Sequence, residues 1–198
     1  MTADLDARHD TRKKILDLAE TLLLTRGFNA FSYQHISAEL GMRNAAIHYH
    51  FARKTDLGVA LIERYRRRFA RFIAAQAGLA PAEQLTRYYA LSDSYHQRQQ
   101  ICPSGILSAE LHTLPAEMQQ AAGAFVAEMR AWAVDIVARG RADGSMHYAG
   151  SAEGMGALVF AAMQGALQLA RFDAAAIGGV TQQLAALLGL ATVGNNKE

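Results

Sequence analysis

A single cysteine, Cys102, stands in 198 residues, so no intramolecular disulfide can form and a reducing compartment is expected. Proline occurs only three times, and no alternation of β-branched residues lasts beyond a few positions, which removes the material for a sheet. Long apolar runs are missing as well. The stretch 155–170 is too short, and too often broken by Gly and Gln, to read as a membrane span. The N-terminal MTADLDARHDTRKK is charged and lacks the apolar core of a signal peptide. These absences predict a cytoplasmic, all-α protein with no membrane partner. What is abundant agrees: alanine is frequent, and a hydrophobic share of 51% is enough for a sizeable core, leaving disorder to the ends, with 195–198 expected as a frayed tail.

The net charge of +2 hides an asymmetry. Up to Arg71 there are 13 Lys or Arg against 8 Asp or Glu; from Phe72 onward there are 7 against 10. Positive charge is therefore concentrated in the first third of the chain, as a phosphate-binding surface requires.

That third contains SYQHISAELGMRNAAIHYHFARK, residues 32–54. Ser32 is a natural N-cap, and Ile36 and Leu40, one turn apart, give the helix after it one apolar stripe. Gly41 ends that helix, because glycine takes left-handed backbone geometry without a Cβ penalty. A second short helix over 44–51 turns Ile47 and Phe51 inward and leaves Arg43, Asn44, Ala46, Tyr49 and His50 on its other faces. The spacing is that of a helix-turn-helix. His48 and His50 lie two apart, which on a helix points them in different directions and argues against a metal site. No cofactor is implied.

Around this stretch, a helix is predicted over 10–26, with Ile15, Leu18, Ala19, Leu22 and Leu23 on one face and Gly27 as its stop. The basic triplet Arg12, Lys13 and Lys14 reads as a solvated cluster within reach of a DNA backbone. Lys54 opens a long helix to about residue 76, whose basic run 64–71 reads as solvated or salt-bridged. Beyond Pro81, helices are predicted over 82–97, 104–112, 115–141, 151–171 and 174–190. The expected domains are a helix-turn-helix domain over 1–54, a linking helix over 55–80, and a second helical domain over 81–198.

RKKILDLAETLLLTRGF, the pattern S-x-x-x-I-S-x-E-L-G-M, and above all A-I-H-Y-H-F-x-R-K-T-D-L at 46–57 resemble the N-terminal domain of the TetR/AcrR family of bacterial transcriptional regulators. The resemblance implies a DNA-binding domain followed by a helical ligand-binding and dimerisation domain. It implies a repressor, not an enzyme, that binds a double-stranded operator as a homodimer and is released by a small-molecule effector. It maps Ser32, Arg43, Asn44, Tyr49, His50 and Lys54 onto DNA-contacting positions. Lys54 is suited to a phosphate shared with its helix's first amides, Tyr49 to a phosphate oxygen, and Arg43 or Asn44 to a base edge. Many members carry a small capping Ser where this chain has Arg43, and Gly where it has Ala45; Asn44 is expected to cap the helix instead, one residue later.

In the second domain the candidate effector lining is Tyr88, Tyr89, Leu91, Tyr95, His96, Cys102, His112, Phe125, Met129, Trp132 and Phe160, an apolar set with a few hydrogen-bonding tips. Cys102 precedes Pro103 and is expected at a helix start, where the dipole favours a thiolate. Some relatives sense electrophiles or oxidants through a cysteine in this string, and an inert buried thiol is the other reading. The last two helices carry small residues, including Gly154, Gly156, Ala157, Ala161, Gly165, Ala166, Ala170, Ala185 and Ala186, with Leu158, Leu167, Leu184, Leu187 and Leu188 among them, and are expected to form a two-fold dimer interface. Two other classes compete. An enzyme using Cys102 with His96 or His112 lacks a nucleophile elbow, and a helical carrier of hydrophobic ligands without DNA binding remains the alternative.

Overall fold

A computed structural model describes residues 2–190, with side chains from Arg8 onward; the expected tail at 195–198 lies outside the described residues. Among the described residues there are nine α-helices and no strand: α1 (Thr2–Arg26), α2 (Tyr33–Leu40), α3 (Asn44–His50), α4 (Lys54–Ala74), α5 (Pro81–Gln97), α6 (Pro103–Ala109), α7 (Ala116–Ala142), α8 (Ala152–Leu169) and α9 (Ala176–Leu187). A single 3-10 turn, Leu111–Thr113, stands between α6 and α7. None of these helices is long and apolar enough to cross a membrane.

The chain divides into two compact units that do not follow the expected boundary at residue 81. The first takes the chain up to Ala70 together with Pro103–Phe125; the second takes Arg71–Cys102 and the chain from Val126 on. Residues 103–125 join the first unit because they pack on α1 and α4. Met118 is fully buried and lies where a Cβ on Gly58 would stand, 2.3 Å from its sulfur. No periodicity within α6 or α7 could have announced that partner.

In the first unit, α1 starts at Thr2, two turns before the expected residue 10, and ends at Arg26, followed by Gly27, whose φ of 91° only glycine adopts freely. Ile15, Ala19 and Leu23 are fully buried as expected, and Leu16 and Leu24 join them, while Leu18 is only half-buried. Ser32 holds the N-cap position of α2, and its backbone N–H donates to His35 Nδ1 at 3.0 Å. Arg43, not Asn44, holds the cap position of α3 and makes no side-chain bond there, so Asn44 is the first helical residue. Phe51 lies just past the helix end, still buried. The buried Tyr33 hydroxyl donates to the Phe51 carbonyl at 2.9 Å and ties α2 to the far end of α3; burial, with Asp56 nearby, pushes that phenol up to about 12.

The basic run of α4 is salt-bridged. Arg64, 15% exposed, reaches Asp17 and Glu20 on α1, Arg68 reaches Glu20, and Arg66 pairs with Glu63. Burial would raise Asp17, but Lys13 and Arg64 together outweigh it and hold its carboxyl below the ordinary 3.8. A depressed carboxylate stabilises the fold above its unfolded pKa and loses that contribution as pH falls through the folded one. Arg64→Ala is therefore expected to lower unfolding free energy by roughly 1–2 kcal/mol near neutrality, below the figure for a fully buried pair because Asp17 is 42% exposed. Urea titrations at pH 7 and pH 3 check this: the gap between variant and parent should narrow at the lower pH, and a constant gap would show that the loss is packing alone.

In the second unit the exposed face of α8 carries Gly154, Leu158, Ala161, Gly165 and Leu169, three or four residues apart, and α9 exposes Ala186 and Leu187. Gly156, Ala166, Leu167, Ala170, Leu184 and Leu188, grouped with them from sequence, are buried inside the unit. The small residues thus serve two faces.

Candidate functional site

The outward surface of α3 begins with Arg43, Asn44 and Ala45, all exposed, and continues through Tyr49, whose ring is 62% exposed. Ile47 is buried and fixes the helix on the core, while Ala46 and His50 are half-buried. The long α1 brings two further cations to this surface. The Arg8 guanidinium donates to the Tyr49 hydroxyl and lies 5.1 Å from the centre of its ring; Arg12 lies 4.8 Å from the centre of the Phe51 ring. Burial, then Arg12 and Arg8, push His50 below the ordinary histidine value, which marks the positive potential here. Lys13 and Lys14 instead form i,i+4 pairs with Asp17 and Asp10.

Lys54 and Ser32, which the resemblance maps onto DNA-contacting positions, make contacts within the first unit. The Lys54 ammonium donates to the Phe28 carbonyl and sits 4.2 and 4.4 Å from the ring centres of Phe28 and Phe31; burial lowers its pKa and Glu110 raises it. It closes the α1–α2 loop rather than facing outward. His48 Nδ1 donates to the Ala52 carbonyl at 3.1 Å and packs edge-on against Tyr33, a structural use of a residue weighed for metal. Ser32 is half-buried at its cap, with its hydroxyl 3.3 Å from His35 Nδ1.

In the second unit, Tyr88, Tyr89 and Trp132 come together, the Tyr88 ring 5.2 Å from Trp132 and 6.3 Å from Tyr89, with Phe72 6.1 Å from Trp132. Burial, and Cys102 beside it, push the Tyr88 phenol well above its usual range, partly offset by hydrogen bonds with Gln164 and Ser92. Gln164 Nε2 also lies 3.9 Å from the buried Cys102 sulfur. The Tyr89 hydroxyl and the Gln76 amide are buried without a hydrogen-bond partner among the described residues. Met129 is buried in α7, and Leu91, Tyr95, His96 and Phe160 are half-buried, Tyr95 under Arg98. Two candidates belong to the first unit: Phe125 packs on Tyr65 and Phe69, and His112 is exposed on the 3-10 turn.

Sequence reasoning missed Arg8, Ser92 and Gln164. Gln164 leaves a signal in the sequence, a polar residue within the apolar stretch 155–170.

Residues 15–61 match the family model described as bacterial regulatory proteins, tetR family. A solved transcriptional regulator of the TetR family from Agrobacterium tumefaciens is 30% identical over 91% of this chain and 99% of its own, with a TM-score of 0.86. The chain belongs to the TetR family. A TetR transcriptional regulator from Legionella pneumophila is 25% identical, covering 90% of this chain and 97% of that one at a TM-score of 0.81. NemR of E. coli in its reduced form shares the fold at 21% identity and a TM-score of 0.80, covering 92% and 100%. Comparison with curated proteins gives no match. This TetR-family transcriptional regulator therefore carries its helix-turn-helix in α2 and α3.

Proposed function

We propose that this TetR-family regulator is a repressor that binds a palindromic operator as a homodimer and is released by a small molecule held in its second unit. The observation that carries the DNA reading is the meeting of Arg8 and Arg12 from α1 with Tyr49 and Phe51 beside the exposed α3. Arg43 and Asn44 lie at the N-terminal end of α3, where a recognition helix reads base edges, and the α1 arginines and Tyr49 are suited to phosphates. Lys54, engaged with Phe28, is left out of this surface.

For the ligand, the buried polar side chains among the described residues of the second unit are Gln76, Gln84 and Ser92, with no charged side chain among those buried. An uncharged molecule with a planar apolar body and hydrogen-bonding groups fits Tyr88, Tyr89 and Trp132 best. A charged one would be buried without a counter-charge.

Titration of a duplex from the gene's own upstream region against salt tests the DNA reading. Affinity should fall steeply with salt, and Arg8→Ala and Arg12→Ala should each reduce the log–log slope by about 0.9, the value for one phosphate contact. Absence of any specific complex would favour the hydrophobic-ligand carrier instead. Slopes unchanged in both variants would confine the two arginines to holding Tyr49 and Phe51.

A further inference from the structure

The loop between α1 and α2 is gripped from a segment more than eighty residues away in sequence. Glu110 stands between α6 and the 3-10 turn, and its Oε2 accepts from the Phe28 backbone N–H at 2.6 Å. Its Oε1 accepts from the Asn29 backbone and side-chain amides, each at 3.4 Å. The Asn29 side chain also donates to Thr113 Oγ1 at 2.7 Å. Gly27 leaves room for the carboxylate: a Cβ there would stand 2.5 Å from Oε1. On the other side of the Phe28 residue, its carbonyl takes the Lys54 ammonium. Phe28 is therefore fixed at its N–H by an anion and at its C=O by a cation, both charge-assisted bonds. Nearby, Arg53 at the head of α4 pairs with Glu117 at 3.1 Å.

From this loop the path to the DNA surface is short. The loop ends at Ser32, the N-cap of α2, and the next residue, Tyr33, bonds the Phe51 carbonyl at the end of α3. Glu110 itself follows α6, a seven-residue helix joined directly to Cys102.

We propose that Glu110 is a positioning residue of the DNA reader: its carboxylate holds the α1–α2 loop, and through Ser32 and Tyr33 the seat of α3, and so sets DNA affinity without any contact to DNA. The carboxylate carries negative charge, so simple electrostatics and positioning predict opposite signs. Removing an anion from a DNA-binding unit strengthens binding; releasing the loop weakens it.

The test compares the parent chain with Glu110→Gln, which keeps one acceptor oxygen, and Thr113→Val, which leaves the carboxylate in place and removes the Asn29 contact together with the hydroxyl's own bond to the Glu110 carbonyl at 2.8 Å. Hydrogen exchange should accelerate at least about tenfold at the Phe28 and Asn29 amides in Glu110→Gln, and measurably in α2 and α3, with α8 and α9 unchanged; Thr113→Val should act at Asn29 with a smaller effect. Exchange that changes only at Phe28 and Asn29, or nowhere, overturns the proposal, as does acceleration across α8 and α9, which marks general destabilisation. The last readout alone rests on the DNA-binding role proposed above. Affinity for the upstream duplex should fall roughly tenfold in Glu110→Gln with the salt slope unchanged, since no phosphate contact is lost. Equal or tighter binding overturns it. A parent that binds no duplex would sink the DNA reading, while the exchange pattern would still decide the role of Glu110.

Discussion

Leu158→Glu combined with Leu169→Glu is expected to leave the chain monomeric at micromolar concentration and to weaken operator binding on the order of a hundredfold or more, the gain lost when two linked readers become one. Leu158 and Leu169 are 46% and 57% exposed, and Phe172, just past α8, is 92% exposed. Among the described residues, four of the five large hydrophobic side chains left in solvent lie on or beside α8 and α9; the fifth is Tyr49. Small residues stand between them at Gly154, Ala161 and Gly165, so a second helix can approach closely along the same stripe. Burying one leucine contributes about 1.5–3 kcal/mol. In a two-fold dimer each substitution acts twice and sets four carboxylates in one apolar contact. Both positions face away from their own unit's core, so the monomer should keep its helical circular dichroism. Sedimentation at several concentrations, followed by operator titration, reads the two effects separately. A double variant that sediments as the parent does would move the proposed interface off this face.

Why that face was only half legible in sequence follows from particular residues. Composition identified the small residues of α8, but a Gly or Ala permits close approach on any side, and only the packing assigns Gly156, Ala166 and Ala170 inward and Gly154, Ala161 and Gly165 outward. The helix-turn-helix was legible because it is local: Ser32, Gly41 and Ile47 do in the structure what their spacing predicts. Helix ends were legible to within a few residues where a glycine or proline marks them, as at Gly27 and Pro81, and not at the start of α1, where no cap precedes the charged residues and the helix runs back to Thr2. Interactions of long sequence separation left no trace. Nothing around residue 110 shows that Glu110 meets the amides of Phe28 and Asn29, and nothing in RYRRRFAR shows that Arg64 finds Asp17 and Glu20 while Arg67 stays exposed. Lys54 shows the limit of a motif: its position matches a DNA-contacting one, yet its ammonium is turned onto Phe28 and Phe31.

Gly156→Ala is expected to lower the melting temperature by about 4–8 °C, the shift that a loss of roughly 2 kcal/mol gives in a chain of this size. Alanine is the better helix former by about 1 kcal/mol, so propensity alone predicts the opposite sign. Sterics decides against it. A Cβ on Gly156 would lie 2.5 Å from the Cα of Val134, 2.6 Å from its backbone nitrogen and 2.7 Å from its Cγ2, so α8 meets α7 backbone against backbone. A flexible side chain could move aside, but the interior of a 27-residue helix cannot, and the two helices must separate. That opens the packing around the fully buried Val159 and Met163 of α8 and Ile136 and Val137 of α7, and overpacking of this kind costs about 1–3 kcal/mol or more. Gln164 lies two turns further along α8, so the same displacement draws it away from Tyr88 and Cys102 and should weaken any ligand held there. Gly123→Ala supplies the control: it lies within α7, is exposed, and a Cβ there meets nothing within 4 Å. It should raise the melting temperature slightly, by the propensity gain alone. Parallel thermal melts of the two variants therefore separate in sign, and a Gly156→Ala midpoint at or above the parent's would mean that α7 and α8 do not meet as closely as their backbones stand here.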